Sequence, residues 1–197
     1  QFMVETLIPT GGDAHSFEPS VRDRRRLGDA TVVVANGGGL EAQLEDTLDA
    51  VAGDGVTVLS IVDEVDAGED PHLWFDPTVV AEAAAVIASE LVAVGADADT
   101  TEQCLDEYLT ELEELDTELA DILSVVPPER RQLVTNHDAL GRFADRYDLE
   151  ILGSVIPGSS TLAEASPAEL EQLADDIDAE EVPAIFAEAL ESTDEAT

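Results

Sequence analysis

Two hydrophobic periodicities take turns along this chain. Val4–Ile8 alternates apolar and polar residues, and Thr31–Asn36 (TVVVAN) and Val56–Val62 (VTVLSIV) are short apolar runs, so all three are expected to be strands. Helical patterns lie between and after them: a short one through Arg24–Leu27, one from about Leu40 to Ala52, and one that Asp76 caps and Pro77 starts. From Thr101 to Ser124, Leu105, Tyr108, Leu112, Leu115, Leu119 and Ile122 recur at steps of three and four, which predicts one long helix with a single apolar stripe. Such a helix is about 36 Å long, more than the width of a small domain, and can connect two lobes. Val126-Pro127-Pro128 stops it. The remainder reads strand, turn at His137, helix, strand, then a helix opened by a capping box of Ser166 with Glu169, then a last strand in VPAIFAE. Strand and helix alternate in both halves, which predicts an α/β fold with a mostly parallel sheet in each.

Composition changes this picture in one respect. The 197 residues are 44% hydrophobic, enough for real cores, but Asp and Glu number 46 against eight cations, all arginine, for a net charge of −38. The acids run the whole length, which argues against an acidic tail, and the regular periodicity argues against disorder. A folded protein living in concentrated salt fits best, because near 1 M salt the screening length falls to about 3 Å. Such a surface excludes nucleic acid and anionic lipid as partners. No apolar stretch approaches a membrane span. The single cysteine, Cys104, rules out an internal disulfide and a cysteine-based zinc cluster, and its helical setting predicts a small core or half-buried residue.

The candidate chemistry lies in three histidines. His15 follows GGDA, His72 follows EDP and His137 follows QLVTN, each at or just beyond the C-terminal end of an expected strand or in a loop leaving it, the edge where open α/β sheets bind ligands. Three imidazoles are an ordinary set of ligands for Zn²⁺. Asp13, Asp70 and Asp138 stand beside them to accept the second ring N–H. Spacing alone does not compel this, since no i, i+4 histidine pair is present and a loop histidine is commonly a surface residue. In NGGGLE (residues 36–41) a tight turn before a helix is the better reading than a phosphate cradle, because the G-x-G-x-x-G spacing and a Lys are missing. Trp74 is expected to pack beside His72 and wedge between the two Asp-Pro corners of DPHLWFDP.

Four segments, GGDAHSFEPS, VVVANGGGLE, DPHLWFDP and LVTNHDALGRFADRYDLE, resemble in this order the marks of the metal-binding receptors of zinc and manganese ABC importers. The octapeptide is the most specific of them. The resemblance implies two Rossmann-like lobes with mostly parallel sheets joined by one long helix: an N-terminal metal-binding lobe at 1–99, the helix at 100–126 and an incomplete C-terminal lobe at 127–197. It implies a metal site between the lobes, with His15 and His72 from the first and His137 from the second. Histidine at the third position tilts the preference toward Zn²⁺, with Mn²⁺ the alternative.

The resemblance further implies a monomeric receptor at the extracellular face of the cell membrane, anchored by lipid through a missing N-terminus. Its partner is an ABC-type permease, which the basic run Arg22–Arg26 faces unless it pairs with nearby acids. The charge makes it a haloarchaeal-like member. Position 14 is Ala where the family often has Pro, and no His-rich insertion precedes EDPHLW. The family's first strand and helix and its acidic fourth ligand have no counterpart, so both ends are expected to be truncated. Glu188, ending IFAE, is a poor substitute for that ligand. The alternative class is a zinc hydrolase using the same three histidines, which would need a general base beside the metal-bound water; no HExxH helix is present.

Overall fold

The computed structural model describes residues 2–65, 68 and 70–187. The chain divides into two compact units, Gln1–Asp116 and Thr117–Thr197, each with its own parallel sheet.

In the first unit, strand β1 (Val32–Ala35) pairs in parallel with β2 (Thr57–Ser60), from Val32 opposite Thr57 to Ala35 opposite Ser60. Parallel neighbours need a crossover, and helix α2 (Glu45–Gly53) supplies it. The period-two pattern of β1 sends Val33 and Ala35 inward and leaves Val34 exposed. Val33 meets Leu27 of α1 (Val21–Gly28) and Val51 of α2 in one small core. A second core joins Ile61, Leu73 and Val79. Ile61 opens the short helix α3 (Ile61–Glu64), and Val79 lies in the first turns of α4 (Pro77–Ala93). Leu73 follows His72 directly, so burying it, worth about 1.5–3 kcal/mol for a side chain of this size, pins the loop that carries the histidine. The second Asp-Pro corner behaves as expected: Asp76 accepts from the Thr78 amide at 2.9 Å, with Pro77 in the first helical position.

Helix α5 (Ala98–Ser124) is continuous over 27 residues, about 40 Å. It begins in the first unit and ends in the second. Arg131 receives its end, donating to the carbonyl of Leu123 in the last turn and to that of Val126 just beyond it.

In the second unit β3 (Gln132–His137) lies between β4 (Glu150–Ile156) and β5 (Ile185–Phe186), all parallel. A strand covered on both faces should be buried continuously, and Val134 to His137 are. Helix α6 (Gly141–Tyr147) connects β3 to β4, and α7 (Pro167–Glu180) connects β4 to β5. The latter opens with the expected capping box: the Ser166 side chain accepts from the Glu169 amide while the Glu169 carboxylate accepts from the Ser166 amide. Gly153 of β4 lets α7 come close, since a Cβ there would lie 2.7 Å from a methyl of Leu173.

Four sequence expectations need correction. Val4–Ile8 forms no strand: Val4 is exposed, and the segment is tied instead to α1, where Arg26 donates to the Glu5 carboxylate at 2.9 Å and the Thr6 carbonyl at 3.2 Å. Alternation supplies a face but not a neighbouring strand to pair with. The run Val56–Val62 is extended only to Ser60, because Ile61 turns into α3 to fill the second core. On α5 the covered stripe is rotated. Leu105, Leu112 and Leu119 are covered with Leu109 and Leu123, while Tyr108, Leu115 and Ile122 are exposed. Cys104, on the same flank of the helix as the exposed Ile122, is exposed rather than core or half-buried.

Candidate metal centre

His15 and His72 are set by the same short-range device. Each follows an aspartate by two residues, and that carboxylate accepts the histidine's own backbone N–H: Asp13 Oδ1 to His15 N at 2.9 Å, Asp70 Oδ1 to His72 N at 3.0 Å. This is the local bond to which aspartate is prone in turns. Asp70 does more. The same Oδ1 lies 2.7 Å from His72 Nδ1, so Nδ1 carries the proton and Nε2 turns its lone pair the other way. Asp138 is exposed and does not play this part for His137.

The two Nε2 atoms face each other at 3.4 Å, both imidazoles buried, with ring centroids 5.5 Å apart and planes inclined at 60°. Two Zn–N bonds of about 2.0–2.1 Å at a tetrahedral angle place their nitrogens about 3.3–3.4 Å apart. The pair therefore stands at the separation that one tetrahedral ion demands. Lone pairs held this close need a proton or a cation between them.

Trp74 presents its edge to His72, ring centroids 5.4 Å apart, and also meets Phe75. It packs beside the histidine as expected but is no wedge, since it is 46% exposed. The buried residue of this loop is its neighbour Leu73, in the core with Ile61 and Val79.

In the second unit His137 is the last residue of β3, paired with Ile156 of β4 and buried with Thr135 and Asn136. Its position is the carboxyl end of the central strand of a parallel sheet. The chain then turns at once, with Ala139 N donating to the His137 carbonyl at 2.9 Å and Asp138 N to the Gly158 carbonyl at 3.1 Å. Glu188 lies outside the described residues. The basic run is partly neutralised: Arg26 pairs with Asp23 of the same helix and with Glu5 of the N-terminal segment. Hydrogen bonds from Ser20 hold the Asp23 carboxyl below its ordinary range. One residue not singled out in the sequence reaches the His72 loop: Asn36, whose side chain donates to the Pro71 carbonyl at 2.8 Å. The signal for it was the N-G-G-G-x-E turn, whose partner lies 35 residues away.

The chain is similar to known proteins over most of its length. The chain is 28% identical over 193 residues to the manganese-binding lipoprotein MntA of Halalkalibacterium halodurans, covering 94% of this chain and 63% of that protein. It is 29% identical over 194 residues to the zinc-binding protein TroA of Treponema pallidum, covering 93% and 62%. It thus spans less than two thirds of these relatives' length. The solved structure of the periplasmic zinc binding protein TroA from Treponema pallidum, 29% identical, superposes with a TM-score of 0.83 over 90% of this chain and 66% of that one. A crystal structure of ZnuA does so with a TM-score of 0.84 at 29% identity, covering 98% and 76%. The family profile matches residues 1–197 in full, and the chain belongs to the ZnuA family, the periplasmic component A of the zinc-uptake complex.

Proposed function

We propose that this chain is the metal-capturing part of an extracytoplasmic receptor that takes up Zn²⁺, with Mn²⁺ as the alternative cargo, and passes it to an ABC-type membrane importer. His15, His72 and His137 are the ligands. The observation that carries this reading is the His15–His72 pair, two buried Nε2 atoms at 3.4 Å with the tautomer of one fixed by Asp70. His137 supports it as a buried imidazole at a sheet's ligand-binding edge. In this reading each of the three histidines offers one ring nitrogen to the ion. The metal is cargo, released after capture, and the division into lobes at 1–99 and 127–197 with the helix between them serves that purpose.

Three nitrogen donors tilt the preference toward Zn²⁺. TroA is named for zinc and MntA for manganese, and MntA is named a lipoprotein, in keeping with a receptor tethered at the outer face of the membrane. No described helix is long and apolar enough to cross a membrane. The receptor acts as a monomer and has no enzymatic role. A zinc hydrolase would need a general base aimed at metal-bound water, and the carboxylate nearest His72, Asp70, is already engaged with that ring.

Titration of Zn²⁺ against a competing chelator, in high salt at pH 7.5, tests the reading. His137→Ala should weaken binding strongly and Asp138→Asn should not. Equal affinity in all three forms would reject it. The halophilic setting is inferred from the charge of −38 alone. It predicts a thermal midpoint that climbs between 0.1 M and 2 M salt as screening shortens from about 10 Å to 3 Å or less. A midpoint independent of salt would count against it.

A further inference from the structure

The turn Asn36–Glu41 contributes no ligand, yet its polar atoms converge on the His72 loop. Glu41 folds back over the end of β1, its Oε1 accepting from Asn36 N at 2.9 Å and its Oε2 from Gly37 N at 3.1 Å. The Asn36 carbonyl accepts from Val62 N at 2.9 Å. Its side-chain Nδ2 donates to the Gly37 carbonyl at 3.2 Å and to the Pro71 carbonyl at 2.8 Å. Gly37 and Gly38 hold φ of +80° and +64°, a region that side chains disfavour. They also sit too close for one. A Cβ on Gly37 would collide with Ser60 Oγ, and one on Gly38 would lie 3.3 Å from Pro71 Cβ.

The Pro71 carbonyl belongs to the peptide that carries the His72 nitrogen. It accepts from Leu73 N at 2.9 Å as well as from Asn36. A planar peptide with its oxygen fixed at two points has little freedom left, and the proline ring holds the torsion before it. We propose that Asn36, braced by Glu41, is a positioning residue for His72: it fixes the Pro71–His72 peptide and thereby holds His72 Nε2 opposite His15. This rests on the metal-site reading and adds a residue to it. The side chain must be an amide. An aspartate of the same shape has no N–H to give and would set a carboxylate against two carbonyls and beside Glu41.

The test compares the wild-type chain with Asn36→Asp, Glu41→Gln and, as a control in the other unit, Ser166→Ala. The first readout needs no metal: the nuclear Overhauser contact between the ring protons of His15 and His72. The second is binding of Co²⁺ alone, followed by its visible absorption, which reports coordination geometry. Asn36→Asp should weaken the ring contact, alter the cobalt spectrum and lower Co²⁺ affinity by about 10–100-fold, the range for loss of a supporting partner. Ser166→Ala should lower the melting temperature and change neither readout. If Asn36→Asp retains both the ring contact and the affinity, the proposal is overturned, whatever happens to its stability. If Asn36→Asp does not fold, Glu41→Gln decides on the same two readouts, because it keeps the turn's shape while removing an acceptor from the Asn36 and Gly37 amides. Failure of the wild type to bind Co²⁺ would sink the metal-site reading, and the ring contact would still decide the role of Asn36.

Discussion

His72 and His137 are both buried imidazoles, but one stands on irregular backbone and the other on a strand. His72 has no ladder. Its peptide is held by Asn36, its ring by Asp70, and its neighbour Leu73 by a core shared with Ile61 and Val79. His137 ends the central strand of a three-stranded sheet, with β4 on one side and β5 on the other. Backbone hydrogen bonds, which no side-chain substitution removes, position that strand. A loop ligand held by a few side chains should therefore be sensitive to single changes around it. A strand ligand should tolerate them.

The largest effect that sharpens this contrast is loss of the loop ligand itself. His72→Ala removes half of the preformed pair and should cost more than about 100-fold in Zn²⁺ affinity, beyond what losing a supporting partner costs; chelator competition measures it, and unchanged affinity would break the account. Next comes Asp70→Asn. It keeps the shape but weakens the hold on Nδ1–H, and should cost about 10–100-fold, with His72 losing its fixed tautomer in nitrogen NMR.

A smaller effect lies far from the site. Ser166→Ala deletes the cap of α7 and should lower the thermal midpoint by roughly 2–4 °C, with metal affinity unchanged. Hydrogen bonds from Ser166 hold the Glu169 carboxyl below its ordinary range. A depressed folded-state value gives stability that is present above the unfolded carboxylate range and lost as pH falls through the folded value. The gap between wild type and variant should therefore be full at pH 7 and narrow toward pH 3 in urea melts. The smallest effect belongs to the strand. Thr135 Oγ1 is buried with no hydrogen-bond partner among the described residues, so Thr135→Val should leave affinity within about twofold and stability equal or slightly higher. A large affinity loss there would erase the contrast between strand and loop.

What the sequence disclosed follows the same division. Features set by local chemistry were legible: Asp76-Pro77 opening α4, the Ser166–Glu169 box opening α7, the unbroken α5, and the alternation that yields two parallel sheets. Features set by distant partners were not. Val4–Ile8 has a strand's pattern but bonds to α1, and the rotated stripe on α5 depends on what covers the helix, which periodicity does not specify. The Asp-x-His spacing at residues 13–15 and 70–72 did point to carboxylates beside the ligands. It could not say that Asp70 would reach the ring of its histidine while Asp138 stayed exposed. Asn36 was hidden for the same reason, since its bond to Pro71 crosses 35 residues.

Zinc K-edge X-ray absorption on the chain loaded with one equivalent of Zn²⁺, at pH 7.5 in high salt, tests the central claim most directly. The account predicts three imidazole nitrogens at about 2.0–2.1 Å, with their outer-ring scattering, falling to two in His137→Ala. A shell containing one imidazole or none, or a spectrum unchanged by His137→Ala, would contradict it.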